Sequence, residues 1–331
     1  MKEPLVTILV TVKNSKDTIE KCVKSLLGLN YKNYKIFITD AFSTDGTYEI
    51  LEKFRKKHSK KILLEQIKGN APKAFNYMIK KVKTPFIAMT DADCIVDKNW
   101  LKNLIKGFDS SETVMTAGFC GTPKDVNLLQ KLIGKELEDR FKKASKVKIL
   151  LHAPTMNLCI RTAIAKKVKM DERLDVAFET DWGLRISKFG KIKYIPEAKV
   201  YHYHRATLKS YYKQQFKQAT FTPAVYLKDW KIFLQNFLCA QKDPISNPLM
   251  TLQINLCALS ILFLILSFFN SLFAFFSLFF FLILVFILAK EAIRLGENLR
   301  EIFLLFLIFL IRVPVWLFGI IKGILKLLIA R

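Results

Sequence analysis

The sequence predicts an α/β fold, a mostly parallel sheet with helices on both faces, followed by C-terminal transmembrane helices. Two observations predict it. The first hundred residues alternate short β-branched runs with helical apolar periodicity, the repetition that builds parallel sheets covered by helices. From Leu249 to Ala289 there is no Lys, Arg, Asp or Glu in 41 residues, in a chain that otherwise carries 53 basic and 28 acidic side chains.

The elements follow in order. Leu5 to Val12 reads as a strand, Asp17 to Leu27 as a helix, Tyr34 to Thr39 as a strand and Gly46 to Lys57 as a helix. Lys61 to Gln66 is a third strand, Pro72 to Val82 a helix, and Pro85 to Thr90 a fourth strand running into Asp91. Ligands of such sheets sit at the carboxyl ends of the strands. Beyond them, Lys98 to Phe108 is helical, Thr113 to Gly118 strand-like and Val126 to Lys146 a long charged helix. His152 to Ile160 and Lys191 to Ile195 read as strands around a helix over Asp181 to Phe189.

Residues 1–206 thus form a catalytic-sized domain. Across 207–247 aromatic and Lys residues interleave at helical spacing, which predicts amphipathic helices on a membrane surface, with Pro244 and Pro248 at the entry to the anchor. Residues 248–331 are the anchor. Its uncharged run holds two lengths of about 20 residues, enough for a hairpin over 249–289 turning at Asn270-Ser271. A third apolar segment over 302–321 carries Arg312 and Pro314 at its middle, and either spans or lies in the interface.

The net charge of +25 sits mostly ahead of the uncharged run. A basic domain tethered to a bilayer fits a cytoplasmic face and anionic lipid headgroups. No cleavable signal opens the chain, because Pro4 to Val12 is short and is followed at once by charge. The six Cys are scattered with no CxxC pair, which argues against a zinc site or disulfide framework and suits a reducing compartment. The Lys residues are dispersed with no binding module, so nucleic acid is not an expected partner.

The chemistry begins at Asp91-Ala92-Asp93, two carboxylates at a strand end that can face one ligand. Mg²⁺ or Mn²⁺ held by such oxygens completes its shell with substrate phosphates. Asp40 ends the second strand on the same edge, ahead of Ser43 or Thr44 as helix cap and Asp45 in the first turn. Asp40 is left over, placed to grip the base or ribose of a nucleotide whose diphosphate meets Asp91 and Asp93. His202 and His204 share a strand face, so either can contact a metal or phosphate, and Arg205 suits a diphosphate.

These motifs, VTILVTVKNS, DAFSTDGT, KAFN and DAD in this order, resemble the inverting GT-A-fold family 2 glycosyltransferases over about residues 4–205. The resemblance implies a Rossmann-like GT-A domain and a nucleotide-sugar donor. It implies donor contacts at Val12, Asn14, Asp40, Asn76, Asp91, Asn157 and Arg205, and a metal at Asp91, Asp93 and His202 or His204. Pro154 to Leu158 resembles the segment that meets acceptor or sugar, with Arg161 following. In Phe178-Glu179-Thr180-Asp181-Trp182-Gly183-Leu184-Arg185 the family's acidic pair departs at Phe178, which leaves the base open between Glu179 and Asp181.

The expected reaction is inverting transfer to a lipid-linked or saccharide acceptor. A polyprenyl phosphate acceptor is the alternative, and it would need little base. A membrane-tethered nucleotidyltransferase is a further reading, but Lys13-Asn14-Ser15 lacks the glycine-rich phosphate loop such enzymes bring after the first strand. A pseudoenzyme is disfavoured by the intact acidic residues. Two spans and no multi-helix channel argue against processive export.

Overall fold

The computed structural model describes residues 3–228 and 248–329. Within them, 3–126 and 137–204 pack as one unit, and 127–136, 205–228 and 248–329 as another.

The first unit is built on β1 (Val6–Val12), β2 (Tyr34–Asp40), β3 (Ile62–Gln66) and β4 (Phe86–Met89), joined in parallel in the order β3-β2-β1-β4. Their β-branched centres are buried on both faces, as parallel strands under helices require. The intervening helices are α1 (Lys16–Leu27), α2 (Thr47–Lys57) and α3 (Ala71–Lys81). Helix α1 buries Ile19, Cys22, Val23 and Leu26 at helical spacing. Helix α3 starts where Asn70 accepts the Lys73 amide and Pro72 sets the first turn.

After β4 the sheet turns mixed. β5 (Cys94–Val96), α4 (Trp100–Lys106), β6 (Thr113–Gly121), α5 (Leu128–Val147), β7 (Ile149–Leu150), β8 (Leu158–Arg161), α6 (Thr162–Lys167), α7 (Phe178–Ile186) and β9 (Lys191–His202) follow in the chain. The order continues β4-β8-β6-β9-β5, with β8 antiparallel to β4 and β6, and β9 parallel to β6.

Three sequence expectations are corrected here. His152 to Asn157 is not strand: Pro154 leads into a single 3₁₀ turn over Thr155–Asn157, and the strand begins only at Leu158. The strand from Lys191 runs on to His202, because β6 and then β5 pair along its length. The helix expected from Asp181 begins at Phe178, after Ala177 in a left-handed conformation.

The second unit is helical: the first turns of α5, then α8 (Leu208–Lys228), α9 (Pro248–Leu266), α10 (Leu272–Leu295) and α11 (Leu299–Ile329). The part of the expected interface region over 229–247 lies outside the described residues. Helices α9, α10 and α11 are each long and apolar enough to cross a membrane. The hairpin is locked by reciprocal bonds, Ser260 Oγ to the Ser277 carbonyl and Ser277 Oγ to the Ser260 carbonyl. Phe268, Phe269 and Phe286 face outward, as on a lipid-facing surface. Pro314 sits inside α11 without ending it.

Candidate active site

Strand register fixes the edge where the site forms. Val12 lies beside Asp40 and Asp40 beside Gln66, while Leu9 pairs with Met89, so the ends of β1, β2 and β4 meet on one side. The turns that follow are clasped together. Asn14 donates its backbone N–H to Ser43 Oγ (2.8 Å) and accepts the Thr44 amide on Oδ1 (2.9 Å). Both Asn14 (φ 50°) and Phe42 (φ 55°) are left-handed, which is unusual for a bulky residue such as phenylalanine.

Asp40 holds this loop from within. It accepts the Ser43 amide, the Ser43 hydroxyl (2.5 Å) and the Gln66 side-chain amide (2.9 Å), and is fully buried. The helix cap is not Ser43 or Thr44. Gly46 takes the cap position in a left-handed conformation, and Asp45 accepts the Thr47 amide and hydroxyl.

The acidic turn closes through the Cys94 amide to the Asp91 carbonyl, and β5 then returns antiparallel to the end of β9. That pairing sets Cys94 opposite His202 and ties the Tyr203 amide to the Asp93 carbonyl. His202 Nε2 comes to 3.4 Å from Asp93 Oδ1, and its Nδ1 lies 3.1 Å from Nδ1 of His204. From the other side the 3₁₀ turn ahead of β8 brings the Thr155 hydroxyl to Asp91 Oδ1 at 3.5 Å.

The electrostatics mark this as a place for a cation. Burial, followed by the charge of Asp93, pushes the Asp91 carboxyl up to about 7, and Glu179 adds to the repulsion. Burial and then His202 pull His204 down to about 3, so it is a neutral imidazole. Donor atoms of Asp93, Cys94 and His202 lie within 4.8 Å of one another. Burial pushes the Cys94 thiol far up, so it stays protonated and brings no charge. The carboxylates and His202 fit a hard divalent ion, whose charge would relieve the crowding at Asp91.

Glu179 stands in the first turn of α7, and burial lifts its carboxyl above the ordinary glutamate range. Asp181 is 4% exposed and bound through Oδ2 to Nε (3.0 Å) and a terminal guanidinium nitrogen (2.5 Å) of Arg185. Of the two candidates for base, Asp181 is committed to an ion pair one turn along its own helix. Helix α7 is held close by Gly183, where an added Cβ would come 2.7 Å from the His152 Cα. Gly183→Val is expected to cost about 1–3 kcal/mol by overpacking against backbone, seen as earlier thermal unfolding together with lower turnover as Glu179 shifts.

At two of the expected donor contacts the side-chain amides are engaged within the fold. Asn157 has no exposed surface: it accepts Trp100 Nε1 (2.8 Å) and donates to the Phe119 and Ala198 carbonyls (2.8 Å each). Asn76 donates to the Met170 carbonyl and to Glu172, and accepts the Met170 amide. Both amides are spent on joining distant segments. Arg161 is likewise turned to the Ser110 and Thr113 carbonyls. Arg205 is exposed beyond the end of β9 and groups with the helical unit. Sequence reasoning passed over Cys94, whose strand is only three residues long, and Phe42, 54% exposed beside Asp40.

A mostly parallel α/β domain with an acidic turn at the end of its fourth strand, a partnering histidine and a raised carboxyl on a facing helix is a GT-A architecture. Residues 7–167 match the model of Glycosyl transferase family 2, and this domain belongs to that family. Among curated relatives, a poly-beta-1,6-N-acetyl-D-glucosamine synthase of Staphylococcus epidermidis is 24% identical over 68% of this chain and 56% of its own length. The Escherichia coli UDP-Glc:alpha-D-GlcNAc-diphosphoundecaprenol beta-1,3-glucosyltransferase WfaP is 39% identical over 27% of this chain and 35% of its own. The chain thus spans about half or less of the length of the curated relatives it matches. Among solved structures, the mannosyltransferase PcManGT of Pyrobaculum calidifontis, in complex with GDP-Man and Mn2+, shares the fold. Its TM-score is 0.60 at 13% identity, over 98% of this chain and 88% of that one.

Proposed function

We propose that the chain transfers a sugar, with inversion, from a nucleotide-sugar donor to a lipid-linked or polysaccharide acceptor at the cytoplasmic face of a membrane. The observation that carries the reading is the meeting of Asp91, Asp93, His202 and Glu179 at one edge of the sheet. Asp91, Asp93 and His202 would hold the cation, Mn²⁺ or Mg²⁺, which when bound neutralises the departing diphosphate.

The remaining work falls to side chains. Glu179 takes the proton of the acceptor hydroxyl on its carboxylate, and its raised pKa brings it nearer neutrality, where a general base acts best. His202, held between Asp93 and His204, keeps its ring oriented toward the acidic pair. The clasped loops after β1 and β2, with Val12, Asn14, Asp40 and the exposed ring of Phe42, receive the nucleoside. Asp40 acts there chiefly by shaping the loop. Arg205, exposed and cationic, is kept for the diphosphate.

The acceptor class is supported by the relatives' names, one a polysaccharide synthase and the other acting on a diphosphoundecaprenol-linked sugar, and by the apolar helices that would keep the site near lipid. The cytoplasmic side rests on the basic balance of the soluble part. Membranes containing the chain, incubated with radiolabelled nucleotide sugars and Mn²⁺, are expected to move label into the organic phase or a polymer pellet with one donor, and to lose that transfer in EDTA. Transfer unaffected by EDTA would overturn the cation's part, and no transfer from any donor would overturn the reading.

A further inference from the structure

By length α11 qualifies as a third membrane span, but its neighbours within the helical unit argue against a crossing. Helix α8 runs beside it in the same direction. Tyr212 OH donates to the Ile308 carbonyl (3.3 Å), and Trp316 Nε1 donates to Gln215 Oε1 (2.8 Å). At Gly319 an added Cβ would come 2.6 Å from Ala219 Cβ, and at Gly323 2.3 Å from the Thr220 carbonyl. The contact therefore covers residues 308–323 of α11, a rise of roughly 22 Å, most of the hydrocarbon thickness. Along that length α8 exposes Lys213 and Lys217, on the face that Lys209 opens one turn earlier. If α11 crossed, the ammonium groups of Lys213 and Lys217 would be carried into the acyl chains, where each is strongly disfavoured.

The charges on α11 point the same way. Arg312, 2% exposed, is ion-paired with Glu136 of α5, and Glu301 is bound by Lys135 (2.5 Å) and Lys131 (3.5 Å) of the same helix. These ties hold α11 to a charged helix at its start and at its middle. The buried apolar cluster that holds Leu305, Ile308, Phe309, Val313 and Leu317 of α11 takes its hairpin members from Met250 to Cys257 and from Leu284 to Ala292, and none from the turns next to Asn270. The opposite face of α11 shows Phe303, Leu307, Ile311, Phe318 and Leu325 in one exposed stripe.

We infer that α11 lies in the plane of the membrane interface, at the end of the hairpin where Pro248 and Leu295 emerge, with that stripe resting in the acyl chains of one leaflet. The Lys face of α8 stays in the headgroup layer, where anionic lipids attract it. Among the described residues the bilayer is then crossed twice, by α9 and α10, and residue 326 returns to the side of Glu297. The inference does not depend on the reaction assigned above.

The test places single nitroxides at Leu307→Cys, Phe318→Cys and Leu325→Cys in the full chain in anionic vesicles, with the wild-type labelling subtracted. All three positions are exposed, so the fold tolerates them. An in-plane helix gives one shallow depth for all three from oxygen and nickel collision rates. A spanning helix gives a graded depth of about 27 Å across the series. Impermeant maleimide should label Lys326→Cys from the same side as Glu297→Cys, and Asn270→Cys from the other. Graded depths, fully aqueous collision rates at all three sites, or labelling of residue 326 from the Asn270 side would overturn the inference.

Discussion

Asp91→Asn and Asp93→Asn are each expected to lower transfer by about 10³-fold, the scale of removing a key electrostatic stabiliser of a charged leaving group, and to abolish cation-dependent donor binding. Thermal stability should not fall with activity. Burial and the neighbouring charge push Asp91 up, so the ionised pair opposes folding, and removing one charge relieves it. The expected signature is an inactive variant that melts no lower than the parent, measured by donor binding with and without Mn²⁺ beside thermal unfolding. A variant that loses activity only because it unfolds would show these carboxylates to be structural.

The second large effect separates Glu179 from Asp181. Glu179→Gln should lower kcat by about 10²- to 10⁴-fold with donor affinity little changed, since a general base contributes that much and touches the acceptor rather than the donor. Asp181→Asn should instead lower stability, because it leaves the Arg185 guanidinium without its buried partner, a loss of up to about 3–5 kcal/mol in a fully buried pair and less here, where Arg185 is partly exposed. Acceptor assays at saturating donor, run beside thermal unfolding, distinguish the two. A large kcat loss confined to Asp181→Asn would reverse the assignment. Little loss for Glu179→Gln would favour a phosphate acceptor, which is already ionised at neutral pH.

Much of the first unit was legible in the sequence because it is made of local signals. The β-branched runs at Val6, Tyr34, Ile62 and Phe86 became strands within a residue or two, and the long uncharged run became a hairpin turning at Asn270. What failed was whatever depends on partners far along the chain. Cys94 to Val96 shows no strand pattern of its own, and exists as strand because residues 200–202 lie alongside. Asn76 and Asn157 have the residue type of a ligand contact, but their partners lie 38 to 96 residues away and use every polar atom. The ion pair that engages Asp181, by contrast, had a local clue, since Arg185 stands four residues after it on the same helix face.

The strand that completes the site is also where the sheet stops. β5 is its outermost strand, and an open outer strand is a template onto which another copy of the chain can add. Here the edge is three residues long, and the outward amide of Val96 is taken by Ser25 Oγ of α1 at 3.1 Å. The Asn30 amide is bonded to the Lys98 carbonyl just beyond. No row of vacant donors is left along it, so the side of the domain that carries the acidic turn offers no seam for self-association through backbone pairing.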